Sequence, residues 1–175
     1  MQIREAKVSD LEKIVRLHTR SWRIAYRGIL SDAFLDGDLI ADRRALWKSR
    51  FDKPAAQQSI AVAEINGVLV GFACSFGSHD AKWGTLLENL HVAPDHKGAG
   101  IGTQLVSHVA RWCIRTQASD RFHLWVLADN RAAQGFYQRL GGSEVEQSVW
   151  DAPDGQRVPE LRFAWPRAGL LLLPR

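Results

Sequence analysis

The stretch Leu87–Leu105, LENLHVAPDHKGAGIGTQL, limits the fold of this chain more tightly than any other. Leu87–Val92 is mostly apolar and runs into Pro94, which has no N–H to give a sheet ladder, so the pattern predicts a strand ending there. Asp95–Gly102 carries glycines at alternate positions, Gly98, Gly100 and Gly102. From Ile101 onward, Leu105, Val106, Val109 and Trp112 recur at helical spacing. Strand, glycine loop and helix in succession leave unpaired backbone N–H groups at a helix N-terminus, beside residues without side chains. That combination is a site for phosphate.

The flanking segments supply a sheet for this unit. Ile3–Ala6 reads as a first strand. Ser9, with Glu12 three residues later, has the capping-box pattern of a helix start. Leu11, Ile14, Val15 and His18 form that helix's apolar stripe, which Trp22 and Tyr26 extend toward Gly28. Ser31–Leu39 reads as a short helix or turn, and Asp42–Phe51 as a helix burying Leu46, Trp47 and Phe51. Ser59–Ile65 and Val68–Phe76 are strands joined by Asn66-Gly67, a strong hairpin signal, with Gly71 marking a bulge. After the central unit come a strand (Phe122–Leu127), a helix (Asn130–Leu140) stopped by Gly141-Gly142, and two strands (Ser143–Val149, Val158–Trp165) about an Asp154-Gly155 turn. The order predicts an α/β protein of the α+β kind, with a hairpin-built first half unlike the alternation of a doubly wound fold.

Length and composition bound the function. The 175 residues, 46% hydrophobic and 24% charged, suit one domain with a real core. No linker or repeat divides it, so residues 1–166 are read as one domain. Residues 167–175 form a tail whose Leu170–Leu173 run either packs on the core or a partner chain, or frays. No apolar run approaches the ~20 residues of a membrane span. MQIREAKVSD has no apolar signal region, and Cys74 and Cys113 both sit among apolar residues, so the expectation is a cytoplasmic protein with buried free thiols. A net charge of +4 suits an anionic small ligand. Without a Lys/Arg block or zinc-finger spacing, no nucleic-acid partner is expected. The scattered histidines offer no metal site.

Three phosphate loops compete for Lys97–Gly102. The triphosphate loop needs a Gly-Lys pair, and here Gly102 is followed by Thr103-Gln104. The dinucleotide fingerprint needs a glycine where Thr103 stands, and Asp120 precedes the next strand where a ribose-binding acid ends one. The third pattern fits. Lys97-Gly98-Ala99-Gly100-Ile101-Gly102 resembles the [Q/R]-x-x-G-x-[G/A] pyrophosphate loop of the GNAT acetyltransferase superfamily, with Lys97 in place of Gln or Arg. Leu90-His91-Val92-Ala93-Pro94 looks like that family's central strand. Asn130 to Gly141 resembles its N-x-x-A-x-x-F-Y-x-x-x-G helix. Ser21-Trp22 with Tyr26-Arg27-Gly28 matches an opening common in bacterial members. The resemblance runs from Ile3 to Trp165.

The resemblance implies a mixed, mostly antiparallel central sheet flanked by helices, and transfer of an acetyl group from acetyl-CoA to a primary amine of a small molecule or peptide by direct attack. It assigns cofactor binding to Leu90, His91 and Val92 on the strand, to Lys97, Gly98, Ala99, Gly100, Ile101, Gly102 and Thr103 on the loop, and to Asn130, Ala133 and Tyr137 on the later helix. A homodimer is also in keeping with it. A non-catalytic CoA-binding sensor of the same fold is the alternative. An alkyl amine with pKa about 10.4 arrives protonated, and a departing thiolate needs a proton, so the reaction calls for an acceptor and a donor. Tyr137 is the candidate donor, against a plain packing role. Glu88 is the candidate acceptor, against a surface role, and its alternation with Leu90 and Val92 predicts one shared sheet face. His91 then falls on the opposite face, as a structural residue. Asn130 is either a helix cap or a CoA contact. Trp22, Tyr26 and Arg27 are read as one wall of the acceptor pocket or as ordinary packing.

Overall fold

The computed structural model describes residues 1–172. Seven strands form one sheet: β1 (Gln2–Glu5), β2 (Gln58–Ile65), β3 (Val68–Asp80), β4 (Gly84–Val92), β5 (Phe122–Leu127), β6 (Ser143–Asp151) and β7 (Arg157–Trp165), in the spatial order β1-β2-β3-β4-β5-β7-β6. Five helices complete it: α1 (Leu11–Ala25), α2 (Asp32–Asp36), α3 (Leu39–Asp52), α4 (Ile101–Thr116) and α5 (Arg131–Arg139). Every neighbouring pair is antiparallel except β4–β5, as the mixed α+β reading expects. The last hairpin folds back so that β7, later in sequence, lies between β5 and β6.

Local chemistry explains most boundaries. Asn66 (φ 49°) and Gly67 (φ 80°) both take positive φ, the turn that matches strand twist. The bulge expected near Gly71 is present, because Ala63 pairs with Gly71 and Glu64 with Leu69, leaving Val70 as the extra residue. A Cβ on Gly71 would meet Leu105 Cδ1 at 3.0 Å and His91 O at 3.1 Å, so its bareness lets α4 settle on the sheet. The capping box expected at Ser9 and Glu12 sits instead at Lys7 and Asp10: a short helical turn starts at Val8 with Lys7 as its N-cap, and the Asp10 carboxylate accepts from Lys7 N at 2.8 Å and from the Arg4 guanidinium at 2.7 Å. The Arg4 guanidinium fixes the Asp10 carboxylate there, which sets the start of the helix.

The sheet is covered on both faces. Leu105, Val109 and Cys113 of α4 meet Ala61, Ala73, Phe122 and Phe163, all buried. On the other face Ile14 and Val15 of α1 and Trp47 of α3 meet Val62, Phe72 and Cys74. Each buried Val, Leu, Ile or Phe among them contributes about 1.5–3 kcal/mol by leaving water. The tail adds to the α4 face, where Ala168 and Leu171 are buried and Ala168 N donates to Asp120 O at 2.6 Å. Leu173, the end of the expected apolar run, lies outside the described residues.

The feature that positions the site is a split in the sheet. β4 and β5 share only the rungs Thr85–Phe122 and Leu86–His123. Just beyond them β4 bulges, since Leu87 pairs with Ser75 and Asn89 with Cys74, which leaves Glu88 without an opposite number on β3. A bulge sharpens local twist, and the strands diverge from there. It also overturns the shared face expected for Glu88, Leu90 and Val92. Leu90 and Val92 pack on the α4 side, whereas Glu88 and Asn89 both meet Arg50 from α3 on the other side. The extra residue shifts the period-two alternation by one, so Glu88 shares a face with His91 instead.

Candidate active site

The split opens a cleft of about 830 Å³. Its deep walls are β4 beyond Leu87 and the Trp125–Leu127 end of β5; the glycine loop and α4 N-terminus close one end, α5 one side, and the end of α1 the other. Nearly all the residues singled out from sequence come together here.

In the loop, Gly98 (φ 82°) and Gly100 (φ 76°) hold left-handed conformations that disfavour side chains. Gly100 caps α4, and Ile101, buried, starts it. The backbone N–H groups from Gly98 to Thr103 have no acceptor among the described residues. They are orphan donors at the positive end of a helix dipole, open to the cleft. Lys97, exposed, adds a cation at the rim. The side chain of Ala99 faces solvent and does not line the cleft, so that residue offers only backbone.

α5 begins where β5 ends. Asn130 caps it, its Oδ1 accepting from Ala133 N at 3.2 Å, and Asn130 and Ala133 also line the cleft, so the two readings of Asn130 are compatible. Gln134, which the sequence pattern passes over, fixes the junction: its buried amide donates to Leu127 O at 3.1 Å and Ala128 O at 2.7 Å. One turn later Tyr137 packs its ring among Phe136, Phe163 and Trp165 and borders the cleft. Burial holds its phenol well above the ordinary value, so the hydroxyl keeps its proton at any working pH.

The opposite end carries the acceptor-side candidates. Trp22 sits edge-on to Tyr26 (5.1 Å between ring centres) and to Trp150 (6.0 Å). Burial pushes the Tyr26 phenol up to about 12. Arg27 is not part of this wall. It lies outside the cleft, paired with Asp32 and Asp36 at 2.7 Å each. Its neighbour Tyr26 turns inward, and two carboxylates on α2 draw Arg27 outward. Glu88 borders the cleft with Arg50 at 3.4 Å. Trp125, Trp150 and Glu160 line the same end and escaped the sequence reading. Glu160 is half-buried, and burial, reinforced by the charge of Glu88, holds its carboxyl above the usual range.

His91 does lie opposite Leu90 and Val92, as expected. Its ring is 4.6 Å from that of His18, whose Nδ1 accepts from Trp47 Nε1 at 3.0 Å. Burial lowers His18 and takes His91 down to about 3, so both are neutral, and His91 also borders the cleft. Among the described residues no cluster of His, Cys, Asp or Glu could hold a metal, and no helix is long and apolar enough to cross a membrane.

Arg162 braces this end, lying 4.4 Å over Trp125 and pairing with Asp80 at 2.9 Å. Its hydrogen bond, helped by the Trp83 and Lys82 amides, pulls the Asp80 carboxyl down to about 2. A depressed carboxyl stabilises the fold fully above its unfolded value of about 3.9, and that contribution fades as pH falls through the folded value. Denaturation midpoints for wild type and Asp80→Asn are therefore expected to differ at pH 6 and to converge as pH falls toward 2. A gap that stays constant down to pH 2 contradicts the ion pair.

Comparison with known proteins agrees with this geometry. The acetyltransferase (GNAT) family pattern matches residues 11–142, which include the loop and α5. YuaI of Bacillus subtilis, an uncharacterised N-acetyltransferase, is 27% identical over 94% of this chain and 92% of its own. The L-amino acid N-acyltransferase MnaT of Escherichia coli is 31% identical over 81% of this chain and 78% of its own. Among solved structures, the PaiA N-acetyltransferase of Thermoplasma acidophilum in complex with coenzyme A aligns with a TM-score of 0.68 at 21% identity, over 91% of this chain and 96% of that one. With the split sheet, the glycine loop and the family pattern falling on the same residues, the chain belongs to the GNAT acetyltransferase family.

Proposed function

We propose that this protein binds acetyl-CoA in the split between β4 and β5 and transfers its acetyl group to a primary amine held at the Trp22–Glu160 end. The observation that carries the reading is the run of orphan amides from Gly98 to Thr103, opening onto a cleft that also holds a tyrosine kept protonated by burial. These amides and Lys97 would meet the pyrophosphate, and the unpaired edge of β4 at Leu90 and Val92 would receive the pantetheine arm. The thioester supplies an activated acetyl carbon. Glu88, directly or through a water, takes one proton from the acceptor's ammonium, freeing the nitrogen lone pair to bond that carbon. As the carbon–sulfur bond breaks, its electron pair stays on sulfur, and Tyr137 donates its hydroxyl proton there. The surplus proton on nitrogen then restores the Tyr137 phenol through water.

The test is calorimetry and thermal shift with acetyl-CoA, followed by release of free thiol across a panel of amines. Micromolar binding with amine-dependent release is expected, and no heat or shift at millimolar ligand would sink the reading. Binding without release for any amine would favour a sensor domain. Glu88→Gln is expected to lower kcat at least ~100-fold, the range for a proton-transfer group, with acetyl-CoA affinity unchanged. A kcat within twofold of wild type would remove Glu88 from the role.

A further inference from the structure

Glu160 stands on β7 opposite Leu127 of β5 and Ser148 of β6, at the acceptor end of the cleft. The other charges near it are already matched. Arg162 pairs with Asp80 at 2.9 Å and with Glu146 at 3.1 Å, Arg50 lies by Glu88 at 3.4 Å, and Arg43 is held by Asp42 beneath the Trp22 ring. The Glu160 carboxylate has neither a hydrogen bond nor an ion pair among the described residues, only the longer-range attraction of Arg162, although it is half out of water. An unpaired carboxylate in such a place is unfavourable unless something cationic completes it. Its surroundings suit a cation, because Tyr26 and Trp150 border the same end of the cleft beside Trp22 and Trp125, which already take the Arg43 and Arg162 guanidinium groups on one face, and aromatic faces attract positive charge.

We propose that Glu160 is a specificity residue that anchors a second cationic group of the acceptor, and that the acceptor is accordingly a diamine. One amino group faces the thioester on the Glu88 side, and the other sits against Glu160 among the aromatic rings. The inference rests on the acetyl-transfer reading and deepens it. It also separates this chain from an amino-acid acceptor such as the name of the E. coli relative states, since a free carboxylate at that end would face Glu160. A single amine with an alkyl tail would leave Glu160 unmatched.

The experiment compares 1,4-diaminobutane, butylamine and 4-aminobutyrate, which share a four-carbon chain, as acceptors for wild type, Glu160→Gln and Glu160→Asp. Wild type is expected to favour the diamine over butylamine by roughly tenfold or more in kcat/KM, the gain of one charge-assisted contact, with 4-aminobutyrate last. Glu160→Gln should raise KM for the diamine by a similar factor, leave its kcat within about twofold and hardly change butylamine, while Glu160→Asp restores part of the preference. Equal use of diamine and butylamine by wild type overturns the proposal, as does an equal loss on all three acceptors in Glu160→Gln, which marks a merely structural residue. Acetyl-CoA affinity, measured in the same proteins, separates the two readings. Its absence in wild type defeats acetyl transfer itself, whereas intact binding with no turnover of the diamine defeats only the assignment of Glu160.

Discussion

Tyr137→Phe is expected to lower kcat by about two orders of magnitude, within the range for a lost proton donor, and to leave both acetyl-CoA affinity and stability nearly unchanged. The separation follows from how the residue is held. Its ring is fixed by Phe136, Phe163 and Trp165, contacts that phenylalanine reproduces. Its hydroxyl has no protein partner among the described residues, so removing it strands no buried group. A purely structural tyrosine would therefore show no effect on rate, and a binding residue would show its effect on the dissociation constant. Single-turnover thiol release beside a calorimetric titration distinguishes these. Because burial lifts the phenol far above neutrality, Tyr137 should contribute no limb to the pH–rate profile between pH 6 and 9. A kcat unaltered in the variant would remove Tyr137 from catalysis.

Trp47→Ala is expected to destabilise the fold by about 3–5 kcal/mol, the range for truncating a large buried aromatic. Trp47 is fully buried where α3 crosses α1, its ring 5.2 Å edge-on from Phe72. Its Nε1 is the donor that satisfies His18 Nδ1, and His18 is itself fully buried. Alanine would leave a cavity and an unpaired imidazole nitrogen together. Urea denaturation should show a lower midpoint with an unchanged slope, and a loss below 1 kcal/mol would contradict the packing described. Trp47→Phe, which keeps most of the volume and loses only the N–H, should retain more than half of the stability. The damage would reach the cleft too, since the Arg50 guanidinium rests 4.9 Å over this ring while reaching Glu88.

What could be read from sequence was chemistry confined to a few adjacent residues. The glycine loop is local in this sense: Gly98 and Gly100 meet a demand for positive φ that no distant contact alters, and the amides they expose follow from a helix beginning there. The Asn66-Gly67 turn and the Phe122–Leu127 strand were legible for the same reason. The misreadings come from elements whose meaning depends on remote partners. Alternation placed Glu88 with Leu90 and Val92, but the bulge shows only in pairing with β3, some fifteen residues earlier in the chain. Arg27 looked like a pocket residue beside Trp22 until α2 brought Asp32 and Asp36 to it. Glu160 reads as an ordinary polar position on an alternating strand. Only the insertion of β7 next to β5 carries it to the cleft.

The two-rung junction of β4 and β5 has a consequence for the protein's lifetime in a cell. On the reading proposed above, the ligand fills the gap in the sheet beyond those two rungs, where the strands themselves share no hydrogen bonds. A ligand at a hundred times its dissociation constant adds about 2.7 kcal/mol to the stability of the state that binds it, a large fraction of what holds a domain of this size together. The fraction of opened molecules available to proteases would then rise and fall with the supply of activated acetyl groups. Abundance would follow metabolic state without any separate regulator, and the thermal shift that tests the cofactor also measures the strength of that link.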